Sequence, residues 1–282
     1  MRIRRADAHI HLFRNGYNKA TRKNMKDRCS EVQTYEQFRN THNISAALVI
    51  GYEAENIDPT NNNYIRELAI DRPWIHSLAF HPTAFPPTLP WLAERFDEGH
   101  LGLALYVLDQ DAAKKIAEWP KDIWNTLDRR GAIVSINAKS VAMPLLRSVL
   151  DTAQNVTFLF SHLGSPGKHL IAPPTKIVEE KLANLLALAQ CSNVWVKISG
   201  LYAVSDPHYA WPQPAAHPFI EVVLKGFGNQ RCVWGSDFSP ALEFISFEQT
   251  IDFPVPPSLD EDAFQNIMGQ NLFGLLSRAK EF

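Results

Sequence analysis

Short apolar runs and longer stretches of helical spacing alternate along the chain from one end to the other. SAALVIGY (45–52) is apolar at successive positions, LGLALYVLD (101–109) is too apolar and too short for a surface helix, and WIHSLAFHP (74–82), AIVSINAKS (132–140) and VWVKISGLY (194–202) are further short, mostly apolar runs that read as strands. Continuous apolarity of that length marks strands covered on both faces. DAHIH (7–11), VTFLFSHLGSPG (156–167) and CVWGSDF (232–238) bring the series to eight. Between them, helical spacing occupies 35–40 with Thr34 as N-cap, then 61–71, 91–98, 111–129, 141–153, 175–190, 219–225 and 259–279, the last broken near Gly269. Pro82, Pro86 and Pro87 end the third strand, and Gly131 ends the helix before the fifth. Strands alternating with helices predict a parallel sheet, and about eight such units predict closure into an α/β (β/α)8 TIM barrel, a single domain over residues 1–282. An open doubly wound sheet is the alternative.

Working residues of such barrels project from the C-terminal ends of the strands. On the first strand His9 and His11 share a face, and Asp7 has the same parity. Asp237 stands where the last apolar run gives way to a turn. First and last strands of a barrel are neighbours, so closure would bring Asp237 beside the two histidines. Tyr52, His81, Tyr106, Asp109, Asn137, Lys139, His162, Lys197 and Ser199 occupy the other strand ends. His81 reads as a structural hydrogen-bonding residue, and His42, His76, His100 and His169 as ordinary ones. His208 and His217 lie in a proline- and aromatic-rich loop, 206–218, long enough to act as a lid that touches substrate.

Composition narrows the partners. A net charge of −2 and a pI near 6.6 give no field that would draw a nucleic acid or a membrane, so a small molecule is expected; homo-oligomer formation is left open. Basic side chains do gather in one loop: Arg14, Lys19, Arg22, Lys23, Lys26 and Arg28 would lie on the catalytic face, either drawing in an anion or simply solvated. Cys29, Cys191 and Cys232 have no CxxC spacing and cannot all pair, which suits a reducing compartment, the cytoplasm. No apolar run of signal-peptide length precedes the first strand, so Met1 is expected to open the mature chain. No GxGxxG or GxxxxGK[ST] follows a strand, which argues against a nucleotide cradle.

In order, and over nearly all the length, DAHIHLF, INAKS, FSHLGSPG, VWVKISGLY and VWGSDFSP resemble the amidohydrolase superfamily in its amidohydrolase-related (type 2) branch. Lys197 in VKISGLY makes the chain most similar to the lactonase group that includes 2-pyrone-4,6-dicarboxylate lactonase and sugar-acid lactonases. The resemblance implies a TIM barrel and hydrolysis. The chain departs from the pattern where metal-dependent members place a histidine at the end of the fifth strand: Asn137 stands there, and Ala104 and Tyr106 on the fourth strand supply no replacement. His9, His11 and Asp237 would still make three ligands with His162 nearby, so the resemblance implies either no required cofactor or one divalent metal, zinc first. Without a metal, Asp237 is expected to serve as general base, and His9, His11 and His162 to polarise the substrate carbonyl. Lys197 would meet a substrate carboxylate or pair with a barrel acid; Tyr52, Tyr106 and Asn137 would contact substrate or merely line the barrel. The expected activity is hydrolysis of a small anionic lactone or cyclic ester. Metal-dependent C–N hydrolysis or decarboxylation in the same branch, and a catalytically silent metabolite-binding barrel, are the alternatives.

Overall fold

The computed structural model describes residues 3–17, 30–252, 254, 256–257 and 259–279. Its strands are β1 (Arg5–Ile10), β2 (Ile44–Ile50), β3 (Ile75–Phe80), β4 (His100–Val107), β5 (Ile133–Ala138), β6 (Thr157–Phe160), β7 (Val194–Ile198) and β8 (Cys232–Trp234). They pair in sequence order, each parallel to the next. The two ends of the sheet also meet: a parallel bridge joins Ile10 to Phe238, the His11 N–H donates to the Phe238 carbonyl, and the Asp237 N–H donates to the His9 carbonyl at 2.9 Å. The sheet is therefore a nearly closed (β/α)8 barrel rather than an open one.

The covering helices are α1 (Glu31–Thr41), α2 (Asn61–Ile70), α3 (Leu89–Asp97), α4 (Gln110–Ala117), α5 (Lys121–Arg129), α6 (Arg147–Thr152), α7 (Thr175–Ala187), α8 (His217–Phe227), α9 (Phe247–Ile251), α10 (Glu261–Gln265) and α11 (Asn271–Arg278). Ser30, not Thr34, caps α1: its Oγ accepts the Gln33 N–H while the Gln33 amide oxygen accepts the Ser30 N–H at 3.0 Å, a reciprocal pair that starts the helix earlier than its apolar spacing shows. The stretch 111–129 is two helices, because Pro120 supplies no N–H to continue the first. Pro144 lies in a 3₁₀ segment, Ser140–Leu146, that precedes α6. The last helix is not broken at Gly269 but passes through a π turn, Asn266–Gln270. A Cβ on Gly269 would lie 2.5 Å from the Arg4 carbonyl oxygen, so only glycine lets the helix pack this close to β1.

Inside the barrel Ala6, Ala8, Leu48, Leu78, Leu159 and Val233 meet, with Leu272 and Leu275 of α11. One irregularity in β1 decides the geometry of the site. Asp7 lies opposite Ala47 but Ile10 opposite Val49, so β1 carries one extra residue there. An inserted residue reverses the inside–outside parity of everything after it. Ala6 and Ala8 therefore face inward and Asp7 outward, where it accepts the Tyr35 hydroxyl of α1 at 3.0 Å. His9 and His11 beyond the bulge turn inward. The shared face expected for Asp7 and the histidines does not form.

Candidate active site

Asp7 acts as a strut between strands: its Oδ1 accepts the His9 N–H at 3.2 Å and the Ser236 N–H at 2.9 Å, fixing the end of β1 to the loop after β8. Burial pushes its carboxyl up to about 6 against the pull of these hydrogen bonds. Glu31 makes a second clamp. It is buried and accepts the backbone N–H of Phe13 and of Tyr17, each at 2.7 Å, and the Ser239 hydroxyl at 2.6 Å. Two site residues sit in the left-handed region, Asp237 at φ 59° and His162 at φ 54°. That conformation costs roughly 1–2 kcal/mol for a residue with a Cβ, and it aims both side chains at the strand-end face. Glycines make the room. A Cβ on Gly235 would lie 2.8 Å from the His9 Cβ, and one on Gly200, itself at φ 61°, would lie 2.5 Å from the His162 Nδ1.

The groups so placed touch. The His9 Nε2 is 3.1 Å from the His11 Nε2 and 3.5 Å from the Asp237 Oδ1, which is 3.9 Å from the His11 Nε2. The Tyr202 hydroxyl donates to the Asp237 Oδ2 at 2.7 Å. The His11 Nδ1 donates to the Ile50 carbonyl at 2.8 Å, and a carbonyl can only accept, so the neutral His11 ring has its lone pair on Nε2. Ser199 holds His162: its hydroxyl oxygen accepts the His162 backbone N–H at 3.3 Å and lies 3.0 Å from Nδ1. Burial raises the Asp237 carboxyl above its ordinary value, opposed by His11, the Tyr202 hydroxyl and Lys197. Burial also lowers His11 to about 4 and, with Lys197 adding to it, His162 to about 3. His9 falls well below its ordinary value for the same two reasons. All three imidazoles are neutral at pH 7.

A cavity of about 280 Å³ opens above them, lined by His11, His162, Asp237, Tyr52, Tyr106 and Asn137 among others. Six of the eight candidate residues thus share one wall. The other two lie beneath it. His9 is 2% exposed, and Lys197 is fully buried, its Nζ 3.1 Å from the His9 Nδ1 and 2.7 Å from the Ser135 Oγ. Lys197 therefore meets the inner wall of the barrel instead of a substrate carboxylate. Burial lowers its ammonium to about 7, opposed by Asp237 and Asp7. His11, whose Nε2 is an acceptor, cannot share the carbonyl-polarising role expected of all three rings.

The remaining candidates have other duties. Asp109 caps α4, accepting the Ala112 N–H at 2.8 Å. His81 bonds the Pro82 carbonyl at 2.8 Å and packs edge-on against Trp91. The His208 Nδ1 donates to the Tyr202 carbonyl at 2.7 Å, placing one residue of the 206–218 loop behind the cavity wall, whereas His217 opens α8 and bonds Pro212. Arg14 pairs with Glu67 at 2.9 Å at the surface, while Lys19, Arg22, Lys23, Lys26, Arg28 and Cys29 lie outside the described residues. Tyr202, Glu31 and Ser135 were not singled out from sequence. Tyr202 stands beside a recognised motif, but no spacing distinguishes it from the other barrel tyrosines.

A family model described as amidohydrolase matches residues 6–271, almost the entire barrel. The chain belongs to the amidohydrolase family. It is accordingly a hydrolase by family. No curated protein sequence matches it. Among solved structures this amidohydrolase resembles one from Burkholderia multivorans with bound zinc, at 17% identity over 97% of this chain and 99% of that one, with a TM-score of 0.73. It also resembles a probable 2-pyrone-4,6-dicarboxylic acid hydrolase from Acinetobacter baumannii with citric acid bound, at 19% identity over 98% and 100%, TM-score 0.72. A third is 2,6-dihydroxybenzoate decarboxylase from Rhizobium, at 13% identity over 97% and 98%, TM-score 0.67.

The zinc-bound relative makes the donor set here worth testing. By spacing, a metal would be admitted: ligand atoms of His9, His162 and Asp237 lie within 4.8 Å of one another. The chemistry does not fit. A histidine that ligates a metal through one nitrogen gives the hydrogen of the other to an acceptor. The His9 Nδ1 instead faces the Lys197 ammonium, which has no lone pair to accept that hydrogen.

Proposed function

We propose that this amidohydrolase opens a lactone or similar cyclic ester of a small anionic organic acid by direct attack of water, with Asp237 as general base and no metal. One observation carries the reading: a buried carboxylate, held by a tyrosine hydroxyl and set against two neutral imidazoles, lines a cavity of about 280 Å³. Asp237 takes a proton from water as its oxygen bonds to the ester carbonyl carbon. His162 donates through Nε2 to the carbonyl oxygen as charge develops there, its Nδ1 receiving the Ser199 hydroxyl hydrogen. When the ring C–O bond breaks, Asp237 returns its proton to the leaving oxygen. The product is an open-chain hydroxy acid whose new carboxyl group releases one proton at neutral pH. Tyr52, Tyr106 and Asn137 supply the walls that orient the ring. His9 and His11 act on Asp237 from beneath and beside it.

The anionic character of the substrate follows the Acinetobacter neighbour, named as a probable pyrone dicarboxylic acid hydrolase, and the basic composition of the sequence 14–28. A small molecule is the partner, with no nucleic acid or membrane surface engaged; no described helix is long and apolar enough to cross a membrane. Free Cys191 and Cys232 suit the cytoplasm. A pH-indicator screen of lactones with metal-analysed protein tests the proposal, and turnover of none of them would leave a silent binding barrel. The Rhizobium neighbour supports a second reading, decarboxylation, which the same screen separates, because that reaction releases carbon dioxide and opens no ring.

A further inference from the structure

Lys197 is fully buried at the barrel wall and touches no substrate-facing surface, yet its Nζ is 3.1 Å from a ring nitrogen of the central histidine. As an ammonium, the form that Asp237 and Asp7 favour, it has three hydrogens and no lone pair. Its other close contact is the Ser135 hydroxyl oxygen at 2.7 Å, and the Ser161 Oγ lies 3.4 Å from the same His9 nitrogen. We propose that Lys197 closes this site to a divalent metal by holding the hydrogen of His9 on Nε2.

The reasoning follows one row of contacts. A Lys197 N–H occupies the Nδ1 lone pair of His9, so the ring hydrogen sits on Nε2. That atom points at the His11 Nε2, 3.1 Å away. His11 has given its own hydrogen to the Ile50 carbonyl at 2.8 Å and presents a lone pair. Every contact along Lys197, His9, His11 and Ile50 then has one hydrogen and one acceptor, all running in one direction. A metal held by the His9 Nε2 would need a lone pair on that atom. His9 would have to move its hydrogen to Nδ1, where it would oppose a Lys197 hydrogen. The groups that hydrogen-bond to metal-bound histidines typically govern affinity by about 10–100-fold, and here the partner has the wrong polarity. Lys197 is thus a positioning residue. It sets the tautomer that gives the His9 Nε2 hydrogen to His11, with the Asp237 Oδ1 3.5 Å from the same nitrogen.

The inference rests on the metal-free reading of the same site, but its test needs no substrate. Histidine ¹⁵N spectra of the unaltered enzyme at pH 6, below the Lys197 value of about 7, are expected to show His9 protonated at Nε2 and bare at Nδ1. Chelator competition with Zn²⁺ alone then compares the enzyme with Lys197→Gln, whose side-chain oxygen can accept a hydrogen from the His9 Nδ1. The variant is expected to bind one zinc per chain about 10–100-fold more tightly. Lys197→Met, which neither donates nor accepts, is expected to fall between the two. A spectrum with His9 protonated at Nδ1, or equal zinc affinity in the enzyme and both variants, overturns the proposal. Should the variants fail to fold, the spectrum of the unaltered enzyme decides alone.

Discussion

Replacing Asp237 with Asn removes the proposed base while changing the volume of the side chain hardly at all. Asp237 is 4% exposed, and its Oδ2 accepts the Tyr202 hydroxyl at 2.7 Å, a bond that an amide oxygen can keep. Burial raises the carboxyl, meaning that the folded protein holds the charged form at a cost; a neutral amide relieves it. The variant should therefore melt no lower than the parent. Its chemistry should suffer by the whole contribution of a positioned base, about 10²–10⁴ in kcat, or roughly 3–5 kcal/mol of barrier. Because the cavity walls are untouched, KM for a lactone that the parent hydrolyses should move by only a few-fold. Initial rates from a pH indicator, paired with thermal melts, measure both. A folded variant keeping more than about a tenth of the parent kcat would refute the assignment of Asp237 as base.

Tyr202→Phe removes the hydroxyl that steadies the Asp237 carboxylate. A hydrogen bond to a charged group is worth about 1.5–3 kcal/mol, so the carboxyl should rise further and the acid limb of the kcat/KM profile should move up by about one to two pH units. Asp7 binds its proton more tightly in the folded chain, at about 6 against 3.8, so folding stability is gained below that range and lost as pH rises through 6, by about 3 kcal/mol. Urea unfolding of Asp7→Asn at pH 4 and pH 7 should lack this difference; an unchanged pH dependence would contradict the burial-raised carboxyl of Asp7. Gly200→Ala places a methyl 2.5 Å from the His162 Nδ1 at φ 61°, and should cut kcat by about 100-fold through displacement of that ring, seen as a changed His162 ¹⁵N shift.

The barrel was legible because short, mostly apolar strands alternate with helical spacing along the whole chain, and the meeting of His9, His11 and Asp237 followed from closure alone. Parity was not legible. The extra residue of β1 between Asp7 and Ile10 leaves no trace in the pattern DAHIH, yet it separates Asp7 from the histidines and sends it to Tyr35. Lys197 was found but misplaced, since a lysine at a strand end reads as substrate-facing until its depth is known. Glu31 was hidden for another reason: an acid in the first turn of a helix is ordinary, and only the fold brings the Phe13 and Tyr17 amides and the Ser239 hydroxyl to it.

Turnover of a lactone by protein whose metal content has been driven to a small fraction of one ion per chain tests the account most directly. The account predicts that kcat is unchanged before and after exhaustive chelation and on return of zinc or manganese. Activity that disappears with the metal and comes back in proportion to the ion restored would contradict it.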